Sequence, residues 1–382
     1  MLTDDLTIED RVRERGPMTV AAFMDLALYD SRLGYYARAA QRSGRAGDFF
    51  TSVDVGPLFG DLLEQQIAEM AEILGAGAAS VKRFDLLEAG AGNGRLSADI
   101  LRAARRRHPD LLARIDLHLV EASAEARLAH PAALAGLAEA GRHRSSASLP
   151  DSFEGVLIAN ELLDALPVHQ VVMRDKGLRE VFVAWRDGRL TTVEAPPSTP
   201  ALAAHLAGLD VTLQPGWVSE INLRAIEWVR DAARRLRRGF LILIDYGHEA
   251  DHLYSAAHAA GTLTTFSRHT MAGPETTADR PAWLERPGGQ DLTAHVDFTS
   301  VRAAAEDQGL VTLGFMDQTY FLLGILHGLS AAGAPPVSLG ESLALRTLLL
   351  PGGLGSTHKV LILGKAVSRP ALLGCSFRQR VT

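Results

Sequence analysis

Residues 84–99 read FDLLEAGAGNGRLSAD: an apolar run ending in a carboxylate, then three glycines at alternate positions, then a helical pattern. Gly90, Gly92 and Gly94 let the chain turn tightly and bring its backbone against a ligand. Dinucleotide folds that seat a pyrophosphate space these glycines as G-x-G-x-x-G. Here the third glycine comes one residue early, and Glu88 stands two residues before the first. A carboxylate there repels a pyrophosphate but suits a cofactor with a cationic amino-acid end, such as S-adenosylmethionine. The next apolar run, LHLVEAS, ends in Glu121. An acid at the end of the second strand is placed to grip a ribose diol. Glu88, Gly90, Ala91, Gly92, Gly94 and Glu121 are therefore the candidate cofactor residues. An ordinary strand–helix turn followed by a solvated acid is the plainer alternative.

A second stretch, GVLIANELLDALPVHQ (155–170), runs from an apolar strand into Asn160, Glu161, Asp164 and His169. In open α/β sheets ligands sit beyond the carboxyl ends of the strands. Asn160 joins the cofactor candidates on that ground. Glu161 and Asp164 are three residues apart, so one helical turn would project both from one face. Two carboxylates there could hold a guanidinium through bidentate hydrogen bonds and align its nitrogen with a sulfonium methyl group. A helix cap and solvated acids are the alternative, and His169 reads as a strand-edge residue.

These residues need a scaffold, and the surrounding patterns supply one. Strand-like runs at 84–90, 115–123, 155–160 and 240–247 alternate with helical patterns at 95–108, 124–141 and 222–239, the last expected to stop at Gly239. That alternation predicts an α/β fold, a Rossmann-like doubly wound parallel sheet. Two stretches interrupt it. Residues 170–194 read as three strands joined by turns at Lys176-Gly177 and Asp187-Gly188, an inserted antiparallel meander. Residues 248–296 are poor in apolar residues and read as a long functional loop. The expected organisation is a helical segment over 1–75 packed on the core, a core over 76–169 and 218–382, and an insertion over 170–217.

The chain has 382 residues, 47% apolar and 22% charged, with a net charge of −6. That acidic balance disfavours a general nucleic-acid binder. The clusters Arg105–Arg107 and Arg234–Arg238 sit at helix ends, where cations complement the dipole. No apolar run reaches the roughly 18–20 residues of a membrane span. The N-terminus is acidic with no apolar signal core, and Cys375 is the sole cysteine, so a cytoplasmic location is expected and no multi-cysteine metal site is possible. HEADH at 248–252 fits the zinc-protease pattern H-E-x-x-H. It follows directly on a strand end, so a pair of flanking loop histidines is the favoured reading and no metal ligand is assigned.

Several motifs in order resemble one family. LYDSRLGYY (28–36), GDFFTSVDVGPLFGDLL (47–63), LLEAGAGNGRLSADIL, ANELLDALPVHQ, LILIDYG, GTLTTFSRH (261–269), PGGQDLTAHVDFT (287–299) and GLGSTHKVLI (353–362) are similar to segments of the MidA/NDUFAF7-like (DUF185) methyltransferases. These are a mitochondrial complex I assembly factor and its bacterial relatives. The resemblance implies a class I S-adenosylmethionine-dependent fold, with the glycine loop and Glu121 at the cofactor. It implies that Glu161 and Asp164 lie beside the transferred methyl and that His295 lies at the active-site rim, making these three the candidate catalytic residues. The mitochondrial relative is a protein arginine methyltransferase, so a protein substrate carrying the arginine is implied, and a homodimer is an open alternative for assembly. The chain departs from the family at Ala91, where proline is frequent, at Asn93, where a basic residue is frequent, near Asp54, after Leu263 and over 274–286. These changes bear on the target more than on the chemistry. A methyltransferase for a small molecule or another side chain, and a binding factor that keeps the fold without catalysis, are the competing functions.

Overall fold

The computed structural model describes residues 6–37, 51–75, 83–137, 142–267, 270–274, 280–333, 338–350 and 354–377. Residues 38–50 and 275–279 lie outside the described residues. The central sheet is built from β1 (Phe84–Ala89), β2 (Ile115–Val120), β3 (His143–Ser146), β4 (Phe153–Asn160), β5 (Leu236–His248), β6 (Val311–Asp317) and β7 (His358–Lys365). Their order across the sheet is β3-β2-β1-β4-β5-β7-β6, with β7 antiparallel to both neighbours and β1 to β5 parallel. The chain reverses its direction of travel between β1 and β4, which opens a crevice at the carboxyl ends of those strands.

The strands are apolar on both faces because helices cover both sides. Alternate residues feed two cores. Leu86, Val156, Ile158, Ile242 and Ile244 pack under helices 58–75, 95–107 and 318–331. Leu87, Leu157, Ala159, Leu241 and Leu243 pack under helices 223–235 and 298–306. Gly239 does not end a helix. The helix stops at Arg235, and Gly239 lies inside β5, paired with Gly155 of β4. A Cβ on Gly239 would fall 1.9 Å from Gly155 O, and one on Gly155 would fall 1.9 Å from Asp85 O. Three backbones approach closely there, and glycine is what permits it.

The meander forms as its alternation predicts: His169–Arg174, Gly177–Arg186 and Arg189–Ala195 pair in sequence, and Val218–Ile221 adds to the edge at His169. His169 serves this sheet, its Nδ1 lying 2.7 Å from Glu180 Oε1. The N-terminal segment departs from expectation by dividing. Helix 58–75 packs on the central sheet. Helices Ile8–Arg15 and Val20–Tyr29 share a separate core with the meander and with Trp283 and Leu292, and Met18 pairs with Val183. Stretch 248–296 is not structureless. It holds a short helix, Ala250–Leu253, and a small antiparallel sheet of Thr264–Ser267, Thr270–Ala272 and Asp291–Thr293. Its threonine-rich strands lack the apolar alternation that announces a sheet. Among the described residues no helix is long and apolar enough to cross a membrane. The arginine clusters are tied to their own surface, Arg106 to Asp61 at 2.6 Å and Arg235 to Asp231 at 2.7 Å.

Candidate active site

A cavity of about 380 Å³ opens at the carboxyl ends of β1, β2 and β4, within the roughly 300–1,000 Å³ typical of small-molecule sites. Glu88, Gly90, Ala91, Gly92, Glu121, Asn160 and Glu161 line it, so seven of the ten residues singled out in the sequence converge there. Tyr29, Tyr36 and Trp228 supply aromatic walls. Sequence reasoning did not assign these rings to the site, although Tyr29 and Tyr36 sit in the recognised LYDSRLGYY segment. Tyr29 Oη donates to Ala165 O at 3.0 Å, and Tyr36 Oη donates to Asp291 Oδ1 at 2.9 Å.

The glycine loop runs through positive φ at Gly90, Gly92 and Gly94. Glu121 grips it: Oε2 accepts Gly92 N–H at 2.9 Å, and Oε1 accepts Ser123 N–H at 2.7 Å. Each oxygen keeps lone pairs for a ligand. Gly94 does not line the cavity. It starts helix 95–107, and a side chain there would press on His130 and Leu119. Its role is close packing of helix on strand. His130 buttresses the loop from behind, with Nε2 2.8 Å from Gly92 O and Nδ1 2.8 Å from Ser145 Oγ. An isolated histidine in a helix gave no sequence signal of this.

Glu88 is buried, and Ser97 N–H and Oγ–H both donate to its Oε2, the former at 3.0 Å. Desolvation raises its pKa to about 7 despite those bonds. A cation seated against Glu88 favours the ionised form, so binding an ammonium group there expels the proton that Glu88 holds below that pH. Affinity for a cofactor with a cationic amino end should therefore rise with pH through about 7 and fall about tenfold per unit below it. Calorimetry across that range checks this, and Glu88→Gln should flatten the profile.

The post-strand acids differ from expectation. They lie in a turn, not a helix: Glu161 has φ +52°, and its N–H extends the ladder to Ile244 O at 2.8 Å. Leu162, Leu163 and Asp164 then point their N–H groups at one oxygen, Asp245 Oδ2, at 3.1, 2.8 and 3.4 Å. Asp245, near the end of β5, thus shapes the turn and went unread because the apolar run LILIDYG hid it. Asp164 and Glu161 therefore do not share a face. Glu161 reaches the cavity, whereas Asp164 is buried behind it and does not line it. Desolvation and the Asp245 charge push the Asp164 carboxyl well above the usual range, and Asp245 itself rises to about 7, chiefly through burial. Both shifts disfavour two negative charges in this buried pair, and Asp164, absent from the cavity lining, does not stand beside Glu161 as the helical spacing predicts.

Contacts converge on Glu161 Oε1: Ser52 N–H and Asn160 Nδ2–H donate to it at 3.3 Å, and His358 Nε2 lies at 3.3 Å. The Tyr246 ring lies against His358, with centroids 3.9 Å apart. Asn160 Oδ1 is buried without a hydrogen-bond partner among the described residues, an acceptor facing a site that an N–H donor would complete. His295 is not in the cavity wall. Its N–H donates to Thr262 Oγ1 at 3.1 Å, and its ring packs with His248 and His258. Desolvation and neighbouring rings lower His248 to about 3 and His295 to about 4.

Strand order, glycine loop and the two acids around it define a methyltransferase-type α/β fold. A family profile described as "Putative S-adenosyl-L-methionine-dependent methyltransferase" matches residues 62–316, and the chain belongs to that family. Among curated relatives, the chain is 29% identical over 345 residues to the mitochondrial protein arginine methyltransferase NDUFAF7 homolog of Drosophila melanogaster, covering 82% of this chain and 72% of that protein. It is 28% identical to the Mus musculus protein arginine methyltransferase NDUFAF7, covering 82% and 71%. Among solved structures, a COG1565 superfamily member from Burkholderia thailandensis bound to S-adenosyl-homocysteine superposes with TM-score 0.84 at 29% identity, covering 98% of this chain and 95% of that one. The chain is an S-adenosylmethionine-dependent methyltransferase. The cavity lining suits that cofactor: Glu88 is a buried carboxyl that would meet an ammonium group, Glu121 a carboxylate with free lone pairs that would meet a ribose diol, and Asn160 Oδ1 an acceptor without a partner among the described residues.

Proposed function

We propose that this chain transfers a methyl group to an arginine guanidinium of a protein substrate. The observation that carries the reading is Glu161, a carboxylate fixed by a left-handed backbone at the cavity wall and held through one oxygen. The printed names of the relatives, protein arginine methyltransferases, support the same substrate class.

In this reading the cofactor supplies an electrophilic methyl on a sulfonium sulfur. Glu88 holds its ammonium group, Glu121 its ribose, and Asn160 with the glycine loop completes the cradle. An arginine nitrogen is a poor nucleophile because its lone pair is delocalised. Glu161 Oε2 counters this by binding N–H groups and keeping positive charge on the nitrogens that are not attacked. Transfer requires the attacked nitrogen to lose a proton, and Glu161 is the carboxylate placed to accept it. The Asp245 carboxyl holds the turn through the Leu162 and Leu163 N–H groups, and burial disfavours a further negative charge on Asp164 behind Glu161.

The test uses the full chain, cofactor labelled in its methyl group, and a lysate from cells lacking this protein. Label in a protein band, recovered after hydrolysis as methylarginine, is expected. Label in a small molecule or on another side chain would replace this proposal with one of those acceptors.

A further inference from the structure

The histidines near the end of β5 have no part in the chemistry above. His248, His258 and His295 each offer a ring nitrogen, and these three atoms lie within 4.8 Å of one another. The ring of His248 stands 4.9 Å from that of His258 and 5.3 Å from that of His295. We infer that His248, His258 and His295 form a binding site for one divalent transition-metal ion of the zinc class.

Three features carry this. The first is ligand presentation. His258 Nδ1 lies 3.1 Å from the carbonyl oxygen of His252 and donates to it, which fixes the tautomer and leaves Nε2 with its lone pair free for a metal. The second is the need for a partner. His295 Nδ1 is buried and has no hydrogen-bond partner among the described residues. An ion at the centre of the triad supplies what such a ring lacks. The third is donor chemistry. Three imidazoles without a carboxylate suit zinc and its neighbours rather than magnesium or calcium. A tetrahedral zinc ion with Zn–N bonds of roughly 2.0–2.1 Å sets its nitrogens a little over ~3 Å apart, so small ring rotations close the triangle. The fourth position is left to water.

The site is not that of a zinc protease. HEADH splits between the end of β5 and helix 250–253, so its histidines do not share a helix face. Glu249, the residue a protease would use as base, pairs with Arg302 at 2.9 Å. The ligands come instead from both ends of the long inserted stretch: His248 where it begins, His258 in the turn Ala256–His258, and His295 just past strand 291–293. One ion therefore cross-links that stretch. The cross-link abuts the acidic turn, because Ala294 N–H donates to Asp164 O at 3.0 Å. The ion's role is to stiffen this rim, on which a substrate would rest.

Tag-free full-length chain, stripped with a chelator, should bind one zinc ion per chain in competition with a chromophoric chelator. Cobalt substituted for zinc should give an intense tetrahedral visible spectrum. His258→Gln and His295→Gln should each weaken zinc binding at least about 100-fold, more than loss of an outer partner costs, while S-adenosylhomocysteine binding persists as the check on folding. Should His295→Gln not fold, the partly exposed His258 carries the test. Zinc bound no more tightly by the native chain than by His258→Gln would overturn the assignment, as would a cobalt spectrum that this variant leaves unchanged.

Discussion

Glu161→Gln should lose methyl transfer by at least about 100-fold in single turnover while cofactor affinity stays within about threefold of the native value. The amide keeps the size of the side chain and an oxygen for Ser52 N–H and Asn160 Nδ2–H. What it removes is the charge proposed to face the substrate guanidinium. Nothing in the proposed cofactor cradle needs that charge, since Glu88 and Glu121 would supply their own. An equal loss of cofactor binding would move Glu161 from substrate to cofactor, and retained turnover would remove it from the mechanism.

Glu121→Ala has the opposite signature. It strips the acceptor from Gly92 N–H and Ser123 N–H and removes the carboxylate offered to the ribose. Affinity for S-adenosylhomocysteine should fall by about 1–3 kcal/mol, roughly 5- to 150-fold, as expected for hydrogen bonds to a charged group. Loop distortion alone could weaken binding, so an analogue lacking one ribose hydroxyl separates the causes. If Glu121 holds the diol, the substitution costs much less with that analogue than with the intact ligand. Equal losses with both ligands would mean that Glu121 only shapes the loop.

The parts of this site carried by a local pattern were legible in the sequence. The alternate glycines, the acid before them and the acid ending the next strand each follow from what a strand–turn–helix unit can do, and all but Gly94 line the cavity. What long-range packing decides was not legible. Asp245 shapes the turn after β4 from the neighbouring strand, 81 to 83 residues away in sequence from the N–H groups it accepts. Tyr29 and Tyr36 reach the cavity because helix 20–29 is anchored on the meander rather than on the central sheet. Asp164 stands off the cavity wall because the left-handed Glu161 breaks the helical spacing that would set the two acids on one face. The four clustered histidines show the same limit: HEADH drew attention as a linear motif, while its spatial partners His258 and His295 come from elsewhere in the chain.

The most direct test is a crystal structure of the chain with S-adenosylhomocysteine. It should show the ammonium group against Glu88, the ribose hydroxyls on Glu121 and the sulfur directed toward Glu161. A ligand seated in this cavity with its sulfur turned away from Glu161, or its ribose out of reach of Glu121, would contradict the account of how this site transfers a methyl group.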